Sequence, residues 1–205
     1  MPARPCARAR PRIPSRARSF PSRDLILPGL LLLGAGVLIA SRANTPPVGN
    51  ARVPEPAKPV DLIRYLGRWY EIARYDISFE RGCEGVTAEY ALRPDGMIRV
   101  VNTCRVGQPD GRARSAEARA KVVEGSGNAR LKVSFFGPFF VGDYWVLDHA
   151  DDYSWSIVGE PRGRYLWLLC RDATPPDAVR DMLVARAGAL GYDTSMLRMT
   201  RQRPG

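Results

Sequence analysis

The chain has 205 residues, enough for one domain of ordinary size. Its 45% hydrophobic and 25% charged residues are ordinary globular composition. The net charge of +10 does not point to nucleic acid: residues 1–50 hold eight Arg against one acid, while the rest has 23 Lys and Arg against 20 Asp and Glu. A nucleic-acid partner needs a basic face on the folded domain, and here the excess sits in the N-terminal extension.

Seven Arg precede Asp24, interleaved with Pro and Ser, and Leu25–Ala40 follows as 16 uncharged residues. That run is shorter than the ~20 apolar residues of a bilayer span. A basic region, an apolar stretch and then Ser41-Arg42-Ala43 are the parts of a secretory signal. Residues 1–43 are therefore expected to be a targeting segment, cleaved, or kept as an anchor with its Arg on the cytoplasmic side. Either way the domain is expected outside the cytoplasm, in the periplasm or on a membrane. No Cys follows the apolar run to carry a lipoprotein's lipid. Residues 44–60 contain five Pro and no apolar period, so they are expected to be a linker, with the folded domain over 61–205.

From Arg68 onward the pattern has period two, which indicates an all-β sandwich or barrel. Eight strands are expected, at 68–76, 84–92, 97–105, 114–123, 129–136, 142–149, 154–160 and 164–171. In the fourth, Ala116, Ala118, Ala120 and Val122 alternate with Glu117, Arg119 and Lys121, giving a small apolar face and a charged one. Arg93-Pro94-Asp95-Gly96 suits a type I turn with Gly in the left-handed position. That register pairs Arg93 with Met97 and puts Val86, Ala88, Tyr90 and Leu92 on one face with Ile98, Val100 and Asn102. It also sets Cys104 opposite Val86 and leaves Cys83 out of phase. A bulge at Gly85 restores the phase and gives a Cys83–Cys104 disulfide, permitted in an exported domain.

One helix follows, with Thr174 as expected N-cap, Pro175 at its first position and Gly191 as its stop. Its stripe of Val179, Met182, Leu183 and Leu190 must be buried against the outside of the strands. This accounts for 165–170 being apolar on both faces. An eight-stranded antiparallel barrel with small residues inside is the size that holds one small ligand. Among four Cys and a single His, no metal-ligand spacing occurs, so no metal and no cofactor is expected.

Gly67-Arg68-Trp69-Tyr70-Glu71-Ile72-Ala73-Arg74 resembles the G-x-W motif that opens the first strand of lipocalins. Phe79-Glu80-Arg81-Gly82, Val86–Tyr90, Lys132–Phe139, Asp143–Asp148 and Tyr165–Arg171 continue the resemblance in order, over about residues 61–203. The group most resembled is the bacterial outer-membrane lipoprotein lipocalins, relatives of apolipoprotein D. The resemblance implies an up-and-down β-barrel with one C-terminal helix outside, binding an apolar molecule such as a fatty acid or lysophospholipid. It implies that Gly67, Trp69 and Arg171 form the closed end, with the guanidinium over the indole. The expected cavity wall is Val86, Ala88, Tyr90, Ile98, Val100, Leu131, Val133 and Phe135. Trp145 and Trp167 join it if Leu147 and Leu169 point inward, and Asn102 adds a polar group to fix a headgroup or to cap backbone. Glu71 shares the parity of Trp69 and has no evident role.

In the implied topology, loops after strands one, three, five and seven ring the open end. The apolar loop Phe136–Val141 and the Arg-bearing loop Arg105–Arg114 suit contact with an anionic membrane surface. An enzyme on the same barrel, acting on a lipid or isoprenoid, is the alternative, with Glu71, Tyr90 and Cys170 its only candidate groups. A haem or pigment carrier would have to use His149. Homodimerisation is left open.

Overall fold

A computed structural model of the protein describes residues 45–203, so the expected targeting segment lies outside the described residues. All eight expected strands are present: β1 (Gly67–Tyr75), β2 (Cys83–Leu92), β3 (Ile98–Val106), β4 (Ala113–Val122), β5 (Arg130–Ser134), β6 (Gly142–His149), β7 (Trp155–Gly159) and β8 (Leu166–Cys170). Each pairs antiparallel with the next, and β1 pairs with both β8 and β2, which closes the barrel. A short ninth strand, β9 (Leu197–Met199), adds to β1 beyond the point where β2 leaves it. A one-turn helix, α1 (Leu62–Tyr65), precedes the barrel, and α2 (Asp177–Ala189) follows it.

The hairpin register is as the turn chemistry dictates. Arg93 N–H donates to Met97 O at 2.8 Å, Gly96 sits at φ +77°, and Leu92, Tyr90 and Ala88 face Ile98, Val100 and Asn102. The extra residue in β2 lies at Gly85, whose φ of +53° a side chain rarely adopts, and whose Cβ would lie 2.9 Å from Arg105. The bulge brings Cys83 and Cys104 together as a disulfide.

Two cores result, because the barrel wall is apolar on both sides where α2 covers it. Inside lie Trp69, Tyr90, Val100, Ala118, Ala120, Leu131, Val146, Val158 and Leu169. Outside, Ile72, Ala73, Leu147, Ile157, Leu166, Leu168 and Cys170 pack against Leu183 and Ala187 of α2, with Val179, Met182 and Leu190 at its margin. The helix starts two residues later than expected. Pro176 bars Pro175 from helical ψ, so Pro176, not Thr174, is the capping residue, and no side chain caps it.

The expected 44–60 linker is instead a strap packed on the barrel. Gly49 and Asn50 N–H donate to Gly163 O, the Asn50 side chain donates to Leu190 O, Ala57 N–H donates to Leu147 O, and Val60 N–H donates to Gly127 O. Val60 and Asn50 are buried. Proline-rich sequence carries neither period nor many donors, and its few N–H groups find carbonyls that bulges and turns leave open. The folded unit thus includes the strap and does not begin at Asp61.

Candidate functional site

The closed end is built on Trp69. Its indole is fully buried, its Nε1–H donates to Tyr65 O at 2.9 Å, and the Arg171 guanidinium carbon stands 3.8 Å above the ring. Arg171 also donates to the carbonyls of Arg64, Leu66 and Arg68 at 2.7–2.8 Å, satisfying the open carbonyl end of α1. Gly67 has φ +90°, and its Cβ would come within 3.5 Å of Arg171. Gly67, Trp69 and Arg171 therefore form one structural unit at the barrel floor.

Above the floor lies a cavity of about 350 Å³, open at the end ringed by the loops after β1, β5 and β7. Val86, Ala88, Tyr90, Val100, Asn102, Leu131, Val133, Phe135 and Trp167 line it, as the sequence suggests. Two expected wall residues do not. Ile98 lies in the packed interior beneath the cavity. Trp145 faces outward beside Leu147 toward α2, and its ring carries the Arg130 guanidinium at 4.5 Å. The parity of Trp145 cannot be read from strand β6 itself, which is apolar on both faces. It is set by pairing: Leu131 points inward and opposes Tyr144, so Tyr144, not Trp145, is the cavity residue.

Tyr144 was missed by alternation alone, and it organises the cavity floor. Tyr90 Oη donates to Tyr144 Oη at 2.8 Å, and Tyr144 is 3.0 Å from Tyr65 Oη, which also bonds Ser156 at 3.0 Å. Burial pushes the Tyr65 hydroxyl up to about 12 and raises Tyr90 and Tyr144 as well, so all three stay neutral at ordinary pH. Asn102 makes no side-chain hydrogen bond among the described residues, and its amide faces the cavity uncommitted.

Glu71 finds its place through a second bulge. The β1–β8 register slips between Glu71 and Ala73, so Ile72 and Ala73 both face outward while Glu71 and Arg74 both face inward. Arg74, fully buried, donates to Glu71 at 2.5 Å, to Thr200 at 2.8 Å, and to the carbonyls of Glu80 and Cys83. Its Nε lies 3.2 Å from a Glu80 carboxylate oxygen. Desolvation and the neighbouring Glu71 raise the Glu80 carboxyl well above its usual range. Neither Glu71 nor Glu80 could be assigned from alternation, because a bulge and a 3₁₀ turn (Ser78–Glu80) deliver them.

Cys170 is outside the barrel, under α2, with its thiol pushed up to about 12 by burial. Both ring nitrogens of His149 face backbone carbonyls, Ala150 O at 2.8 Å and Pro59 O at 3.1 Å, away from the cavity. Neither residue can act on a cavity ligand, which removes the thiol from the enzyme alternative and the imidazole from the haem reading.

A closed antiparallel barrel of eight strands, with one open-ended apolar cavity and a helix outside, defines a ligand-binding calyx. A lipocalin-like domain family matches residues 60–202, and the chain belongs to the lipocalin family, whose members bind small hydrophobic molecules. The outer membrane lipoprotein Blc of Vibrio cholerae is 43% identical over 159 residues, covering 76% of this chain and 92% of that protein. Its counterpart in Escherichia coli K12 is 41% identical over 172 residues, 83% and 93% of the two chains. Apolipoprotein D of Rattus norvegicus is 34% identical over 161 residues, 73% and 82%. Among solved structures, insecticyanin from the tobacco hornworm shares the fold, with a TM-score of 0.60, 20% identity, and coverage of 77% of this chain and 88% of that one.

Proposed function

We infer that the protein is an extracytoplasmic carrier of a single-chain lipid, a fatty acid, lysophospholipid or similar molecule, in envelope lipid handling. The observation that supports this reading most is the cavity itself. It has a volume of about 350 Å³, is apolar along Val86, Val100, Leu131 and Val133, and is closed at the Trp69 end and open at the other. An elongated apolar chain with a polar end at the mouth fits that shape. Similarity to proteins named outer membrane lipoproteins supports an exported, envelope-associated location. Among the cavity's polar groups, neutral tyrosines, the Asn102 amide, a carboxyl pair beside Arg74 and the rim residues Asp143, Glu160 and Arg162, there is neither thiol nor imidazole, which favours binding over catalysis on a lipid or isoprenoid.

The rim supports a membrane surface as the place of exchange. Phe79, Phe136, Phe139 and Val141 are exposed there, with Phe136 at 84% and Val141 at 84% of full accessibility. Phe140 does not share this role, because its ring folds back beneath Arg119 and Lys121.

The ligand reading is tested by titrating the full chain with oleate and with a single-chain phospholipid while following Trp emission. Both probes should saturate with quenching that disappears in Trp167→Ala and persists in Trp145→Ala. Failure of both probes to bind sinks the reading, and loss of the signal in Trp145→Ala alone would place the ligand outside the barrel.

A further inference from the structure

The cavity is a binding site on the grounds of its shape, and its polar groups bear on what the ligand's polar end must be. Near the mouth, three aromatic rings follow one another along the wall. Phe79 and Tyr165 have ring centres 6.1 Å apart, Tyr165 and Trp167 5.8 Å apart, and all three line the cavity. Directly beside them stand the Glu71 and Glu80 carboxyl groups, with Trp167 Nε1 3.4 Å from Glu80.

Arg74 can match only one charge of this pair. Its inward-facing side chain is fully buried, its terminal nitrogens are engaged by Glu71, Thr200 and two backbone carbonyls, and its Nε lies 3.2 Å from a Glu80 carboxyl oxygen. What lines the cavity is carboxyl oxygen, two groups against one guanidinium, and desolvation together with the neighbouring Glu71 raises the Glu80 carboxyl. Asp143 at the rim is paired with Lys132 at 2.5 Å, and the Glu160 carboxylate accepts the backbone N–H groups of Arg162 and Arg164. Arg162 is the one cation among the lining residues, and it is solvent-exposed, where its field is screened.

We propose that Phe79, Tyr165 and Trp167, with the Glu71–Glu80 carboxyl pair, form a subsite for a positively charged, ammonium-type end of an amphiphile whose apolar chain fills the barrel. Aromatic faces attract a quaternary ammonium through their quadrupoles. An ammonium bound beside the pair favours the ionised Glu80 carboxyl and so gains a countercharge beyond the one Arg74 matches. A ligand carboxylate at the same place would meet the same desolvated carboxyl pair with no cation left to match it. This selectivity rests on the single-chain amphiphile reading and narrows it.

Three probes of equal chain length separate the two ideas on the full chain at neutral pH: decyltrimethylammonium, decanoate and decanol. The ammonium should bind at least about tenfold more tightly than decanoate, a difference of ~1.4 kcal/mol. Glu80→Gln should shrink that ratio to about twofold, while decanol affinity stays as in the parent, reporting an intact cavity. Decanoate binding as tightly as the ammonium, with decanol bound, overturns the subsite and leaves the carrier reading standing. A preference that survives Glu80→Gln with decanol affinity intact also overturns it. Failure of all three probes overturns the carrier reading and the subsite with it.

Discussion

Replacing Trp69 by Ala tests whether the closed end holds the barrel together. The indole is fully buried, packs at a tilt against Tyr65 with centroids 4.9 Å apart, and lies under Arg171. Truncating a buried Trp costs ~3–5 kcal/mol. Losing the stacked guanidinium adds ~0.5–2 kcal/mol when desolvated, and here it adds at the low end, because Arg171 keeps its bonds to the α1 carbonyls. A total of ~4 kcal/mol is a large share of the 5–15 kcal/mol that ordinary domains have. With a urea slope of ~2 kcal/mol per molar, the unfolding midpoint should fall by about 2 M. Trp69→Phe keeps a ring under Arg171 and loses the bond to Tyr65 O, so it should fall by only ~0.5–1 M. Far-ultraviolet circular dichroism is the readout, since Trp emission changes with the substitution itself. An Ala midpoint within ~0.3 M of the parent would refute a floor organised by Trp69.

The disulfide spans 21 residues of sequence, so Cys83→Ala with Cys104→Ala should cost ~3 kcal/mol of stability, read as a lower unfolding midpoint, with little change in ligand affinity. An unchanged midpoint would show that the β2–β3 end is held without it. At the rim, a chain from residue 45 onward should float with phosphatidylglycerol vesicles at low salt and less at high salt, and Phe136→Ser with Phe139→Ser should reduce flotation while oleate still binds. Undiminished flotation in that double variant removes the apolar rim from membrane contact.

Where one face of a strand meets solvent, the sequence is a sufficient guide. Strands β2 to β5 have no helix over them, and Val86, Ala88, Tyr90, Val100, Asn102, Leu131, Val133 and Phe135 reach the cavity by parity alone. The Arg93–Gly96 turn and Gly85 bulge are legible for the same local reason, that glycine marks the positive φ each needs. Strands β6 to β8 lie under α2, and there alternation is silent: Trp145, Leu147, Leu166 and Leu168 are as apolar as the residues pointing in. Only the cross-strand partner settles the matter, and Leu131 opposite Tyr144 carries that information from a strand where parity is readable to one where it is not. The strap was misread for the opposite reason. Its prolines give no pattern, and what orders it is carbonyls exposed elsewhere, at Gly163, Leu147 and Gly127.

The same distinction explains which polar residues sequence could interpret. Arg171 serves the open end of α1, and its place over the Trp69 indole is what the resemblance implied, since no local pattern joins residues so far apart in the chain. Glu71 is three residues from its partner Arg74, a spacing that on a regular strand would put them on opposite faces. They meet only because β1 must slip against β8, leaving Ile72 and Ala73 both outward beneath α2. The bulge thus does two things at once: it feeds apolar surface to the outer core and turns a charged pair into the barrel. A strand without it would leave Arg74 outward and Glu71 with no partner in an apolar interior, an arrangement that burial of an isolated carboxylate forbids. The acid at the mouth of the cavity is therefore a consequence of how the helix is seated, and the cavity's polarity and the outer core's packing are fixed by one backbone feature.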